Sequence, residues 1–202
     1  MATRTAIMRN DVGLVESDGG ATGNNTTTAT LGWTDAVSAD FGRLVFHFDL
    51  KLKHGTISAA TLTLKPTDNA AVASALAVYP VKGLDRNWVD SQATWDDKST
   101  SVAWGAAGGN PDTGIAPGEA TMTTDGADII FNDAAFVAIC QTGIDQNGRL
   151  NLLVQRSVES GLDSEQVIQM TGHGSGPSTL VLTFTETVRN TPRLALRRSR
   201  TL

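Results

Sequence analysis

Trp88 and Trp95 stand seven residues apart in "LDRNWVDSQATWDD", among acids, amides and small polar residues. An indole in such a segment has two uses. Its exposed face can stack on the C–H face of a pyranose, or its bulk can cover apolar surface while its N–H finds an acceptor. For this pair the covering role is expected: a loop folded back over an open end of a sandwich. Asp90, Ser91 and Thr94 would satisfy its backbone donors through side-chain turns. Trp33 and Trp104 have more open, glycine-rich surroundings and are the better stacking candidates.

Other chemistry is sparse. His47, His54 and His173 show no zinc-ligand spacing. "GHGSGPS" lacks the strand-to-helix setting of a nucleophile elbow. "GAAGGN" has no lysine-serine ending to cradle a phosphate, and Asp96–Asp97 shows no sign of the opposed geometry of a glycosidase pair. These residues point away from an enzyme. Calcium is the candidate metal: Asp11, Glu16 and Asp18 in "DVGLVESDGG" offer the oxygen ligands a hard cation takes from a flexible loop, though not at EF-hand spacing.

Charge is divided along the chain. All 21 acidic residues lie in residues 1–186, whereas "TVRNTPRLALRRSRTL" holds five arginines and no acid. Arg189, Arg193, Arg197, Arg198 and Arg200 suit carboxylate or phosphate partners. The acidic body opposes nucleic-acid binding, so an acidic protein surface is the expected dock.

The elements that must position these residues are strands. Period-two alternation puts Leu44, Phe46, Phe48 and Leu50 on one face of "RLVFHFDL", with Arg43, Val45, His47 and Asp49 on the other. "ATLTLKP", "ALAVYPV", "RLNLLVQR" and "STLVLTFTE" read the same way. "FNDAAFVAICQTG" reads as a short helix capped by Asn132 or Asp133, with Phe136, Ile139 and Cys140 on one stripe and Gly143 as its stop. Long glycine-rich connections and no βαβ alternation predict an all-β fold, an antiparallel β-sandwich of jelly-roll type over residues 1–186, with 187–202 as a basic tail. At 202 residues the body can fold without staples, and its single cysteine, Cys140, excludes an intrachain disulfide. "MATRTAIMRNDVG" lacks the apolar core of a signal peptide and no apolar run reaches membrane-spanning length, so neither export by that route nor membrane insertion is expected. The sequons at Asn24 and Asn25 read as chance matches in a polar loop.

The block "WVDSQATWD" just after a strand, the arginine-bearing strand "RLVFHFDL" and the opening "DVGLVESDGG…TTTATLGW" together resemble the DNRLRE domain family, over about residues 8–186. Here His47 interrupts the usual strand core, and "MTGHGSGPS" lacks the family's serine-acid pattern. The resemblance implies a β-jelly-roll related to carbohydrate-binding modules, found beside bacterial extracellular enzymes and in phage structural proteins. Two expectations follow. One is a virion component, such as a capsid decoration (cement), head-fibre or tail protein. It would be homo-oligomeric or assembly-bound, with its basic tail on a major capsid or other virion protein. The other is a module that targets a polysaccharide through its tryptophans.

Overall fold

The structure, a computed structural model, describes residues 1–16, 22–24, 28–33, 41–89, 92–158, 164–170 and 178–185. The side chains of Glu16 and Trp33, all of Asp18 and His173, and the arginines at 189, 193, 197, 198 and 200 lie outside the described residues.

The strands, in chain order, are β1 (Ala2–Thr5), β2 (Ile7–Glu16), β3 (Thr22–Asn24), β4 (Thr28–Trp33), β5 (Phe41–Asp49), β6 (Thr56–Leu64), β7 (Ser74–Pro80), β8 (Asp97–Ser99), β9 (Val102–Ala103), β10 (Gly118–Met122), β11 (Ile129–Phe131), β12 (Arg149–Arg156), β13 (Ser164–Gln169) and β14 (Thr179–Thr185). One helix, α1 (Ala134–Asp145), lies between β11 and β12. The expected fold is the observed one, an antiparallel sandwich of two curled sheets. The smaller sheet has the order β1-β14-β6-β11; the larger runs β10-β7-β12-β5-β2-β3, with β4 joining β5 to β13.

The inner faces meet as the alternation requires. Leu44, Phe46 and Phe48 of β5 and Leu150, Leu152 and Val154 of β12 pack with Leu62 and Leu64 of β6 and Leu180, Leu182 and Phe184 of β14. Phe46 stands opposite Leu152, so their side chains share that face.

Helix α1 closes the gap between the sheets on the β10/β11 side, burying Phe136, Ile139, Cys140 and Ile144 in this core. Asp133 is its cap: its Oδ1 accepts from the Phe136 N–H at 2.7 Å. Gly143 is not the expected stop. It sits inside the helix, where an added Cβ would lie 3.0 Å from both Leu150 and Leu50 side chains, so the helix needs glycine there to approach β12. The turn comes instead at Asn147, with φ 62°, followed by Gly148. Burial pushes the Cys140 thiol far above its ordinary range, which leaves it a packing group rather than a nucleophile.

β1 pairs with β14 from Ala2↔Phe184 to Thr5↔Val181, so the N-terminal residues form an edge of the smaller sheet. β14 ends at Thr185, opposite Thr56. At that pole lie the exposed Lys51, Lys53 and His54, and Arg4, whose guanidinium donates to the Lys51 carbonyl. Among the described residues no helix is long and apolar enough to cross a membrane.

Candidate binding site

The larger sheet has a second core on its outer face. Val12 and Leu14 of β2, Val45 of β5, Leu153 of β12 and Val81 are buried there beneath Trp88, Ala93, Trp95 and Trp104. The tryptophan loop therefore covers, as expected, but it covers a sheet face; the gap beside the sheets falls to α1. The reason lies in register: β5 and β12 carry apolar residues on both faces, and their outward Val45 and Leu153 line up with Val12 and Leu14 of β2 into a surface that must be covered.

Trp104, expected in open surroundings, is only 5% exposed, and its indole N–H donates to the Thr94 carbonyl at 2.8 Å. Trp88 and Trp95 are as deeply placed. None of the three presents a sugar-stacking face. Trp95 is sandwiched: the Arg43 guanidinium lies 4.6 Å from its ring centroid, and Phe41 stacks at 6.4 Å. The same guanidinium donates to the carbonyls of Ala107 and Gly108 at 3.3 and 3.1 Å. Arg43 thus ties the "GAAGGN" loop to the tryptophan beneath it. Thr94 satisfies the loop as expected, its Oγ1 accepting from the Asp97 N–H at 3.0 Å; Asp90 and Ser91 lie outside the described residues.

The calcium set does not assemble. Asp11 is on strand β2, opposite Phe46 and buried on the core side. Five residues of strand separate it from Glu16, about 17 Å at the extended rise, so the two carboxylates cannot share one ion. No group of three or more His, Cys, Asp or Glu among the described residues is placed to hold a metal. Asp96 precedes, and Asp97 opens, strand β8 of the small β8-β9 hairpin.

Polar chemistry gathers where the tryptophan cover stops. Trp88 donates its indole N–H to the Asn151 Oδ1 at 3.3 Å. Beside this pair a groove of about 190 Å³ is lined by Gly83, Arg86, Asn87, Gln146, Arg149 and Asn151. Three elements build it: the turn Gly83–Arg86 after β7, the residue following α1, and the start of β12. Arg86 is braced by its Nε, which donates to the Val81 carbonyl at 3.1 Å. Arg149 and Asn151 alternate with inward leucines, so they were legible as outward-facing. That a 3-10 turn and a helix end would flank them was not.

The chain matches no family model and no curated protein. The likeness of "WVDSQATWD", "RLVFHFDL" and "DVGLVESDGG…TTTATLGW" to the DNRLRE family therefore rests on those residues alone.

His47 stands across from Asn151 on the same outer face, half-buried. Burial, followed by Arg149 and Arg9, pushes its pKa below the ordinary 6.5, against the opposing pull of Asp49. The fold thus favours neutral imidazole. That contribution is fully present above the unfolded value and is lost as pH falls through the depressed folded one. His47→Gln is expected to flatten the drop in Tm between about pH 7 and about pH 5. Parallel drops for the variant and the parent protein in thermal scans would contradict this.

Proposed function

We propose that this chain is a non-enzymatic structural protein of a phage particle, a capsid decoration, head-fibre or tail component that displays its jelly-roll outward. In this reading it is localised to the virion, is homo-oligomeric or assembly-bound, and docks on a major capsid or other virion protein through residues 187–202. The observation that carries the reading is where the basic segment departs. It follows β14 directly, at the pole where Lys51, Lys53 and His54 are exposed and Arg4 is held against the Lys51 carbonyl. The five arginines that follow β14 in the sequence have no acid among them, and such a segment suits a carboxylate-rich surface. Glycan adhesion is a secondary role in this proposal. The alternative, a polysaccharide-targeting module working through stacked indoles, has less support, because Trp88, Trp95 and Trp104 are turned into the outer core.

The test compares the full chain with a truncation at residue 186, each produced in the host that makes the particle. The full chain is expected in purified particles by mass spectrometry. The truncated chain should keep its Tm and be lost from them. Unchanged incorporation of the truncated chain would end the anchor proposal, and absence of the full chain from particles would end the virion proposal.

A further inference from the structure

We infer that copies of this chain associate end to end, the basic pole of one against the acidic pole of the next. The inference concerns how copies meet and does not depend on the display role. Its basis is the sorting of charge along β6. The connection that enters β6 carries Lys51 and Lys53, both exposed. Three more cations stand beside it. Arg4 donates to the Lys51 carbonyl, Arg9 reaches the Asp49 carboxylate at 3.1 Å, and Arg149 lies opposite Asp49 in the β5/β12 register. Lys51 also pairs with Asp49, at 2.8 Å. These five are drawn from only eleven lysines and arginines in residues 1–186, a body that holds all 21 acids. The carboxylates described at this pole are Asp49 and Asp145, the last residue of α1.

The nine residues of β6, about 30 Å at the extended rise, lead to the other pole. The turn after β6 holds Asp68, and the turn between β10 and β11 holds Asp125 and Asp128; all three are exposed. Gln166 ties the two turns together, its Nε2 donating to the carbonyls of Asp68 and Thr123 at 3.2 and 3.1 Å. Two cations described at this end are engaged internally. Lys65 pairs with Asp128, and the buried Arg156 donates its Nε to the Ser74 hydroxyl at 2.8 Å. Residues 17–21, 25–27, 34–40, 159–163 and 171–177 contain no lysine or arginine, so none of them brings a cation to this pole.

Basic against acidic is favourable and steers the encounter, whereas a two-fold axis that set like pole on like would repel. Between the poles the smaller sheet presents Thr61, Thr63, Thr179 and Thr183 outward, residues with no charge to draw copies side by side. A head-to-tail contact uses one pole of each copy and leaves the other open, so it repeats.

Sedimentation velocity of the full chain provides the test. At about 0.01 M ionic strength, where the Debye length is ~30 Å, the chain should form concentration-dependent species larger than a dimer. At about 1 M salt, where that length is ~3 Å, it should be monomeric. Lys53→Gln with Arg149→Gln, and separately Asp125→Asn with Asp128→Asn, remove charge from one pole and keep polar side chains there. Each variant should remain folded by circular dichroism and self-associate roughly tenfold more weakly or worse. Mixed, the two should form dimers and nothing larger, because one keeps its acidic pole and the other its basic pole. A parent chain that is monomeric at low salt, association indifferent to salt or to either variant, or a mixture without dimers would overturn the inference. A parent chain that stops at dimers would overturn the end-to-end arrangement in favour of side-by-side pairing.

Discussion

Trp95→Ala is expected to destabilise the fold by about 3–5 kcal/mol, the range for removing a large buried aromatic. Three losses combine. The indole is 6% exposed and lies over the outer core, so its removal leaves a cavity above a sheet that cannot collapse far without breaking register. Arg43 loses the ring it stacks on, and Phe41 loses its partner. The loop carrying Ala107 and Gly108 then loses its apolar seat and is left with polar ties, the two long Arg43 hydrogen bonds and the Gly108 N–H to the residue-95 carbonyl at 2.6 Å. Urea denaturation with circular dichroism measures the change. Trp95→Phe, which retains an aromatic face, should cost markedly less. A midpoint for Trp95→Ala within experimental error of the parent protein's would mean that the indole is not a structural cover at all.

The sandwich was largely legible because five strands carry apolar residues at every second position. β5, β6, β7, β12 and β14 all lie where that pattern put them, and a helix occupies its expected place. The outer core was less legible. Val45 and Leu153 sat on the face assigned to polar residues by strict alternation, and one outward leucine or valine is unremarkable by itself. Only the pairing of Val12 with Val45, and of Val45 with Leu153, lines them up as a surface needing cover. Residue types suggested that Trp88 and Trp95 would be buried, but local sequence could not say against which surface. Trp104 was misjudged because glycine-rich neighbours suggest openness. In fact two of those glycines bring the backbone against buried side chains, Gly108 against the Trp95 ring and Gly109 against Leu153. Asp11 was read as part of an acidic loop because "ESDGG" follows it, yet β2 continues through it to Glu16. The groove could not be read at all, since its donors come from three segments between positions 83 and 151 that only the fold brings together.

Gly109→Ala is expected to be nearly as damaging as the loss of Trp95, although it adds one methyl group. Gly109 has φ 105°, in backbone space that a side chain rarely adopts, and forcing alanine into left-handed conformations costs roughly 1–2 kcal/mol. The added Cβ would also lie 2.4 Å from Leu153 Cδ1 and 3.3 Å from Val45 Cγ2. Relief requires either the leucine to leave its rotamer or the loop to lift from the sheet, an overpacking cost of about 1–3 kcal/mol. The two terms together predict a loss of about 2–5 kcal/mol. Gly83→Ala separates them. Its φ is 51°, but nothing lies within 4 Å of the new Cβ, so it should show the backbone cost alone. Equal losses at the two positions in urea denaturation would mean that the glycine loop does not press on the outer core. A larger loss at Gly109 would show that "GAAGGN" is built of glycine because the backbone itself, with no side chain between, forms the lid over Leu153.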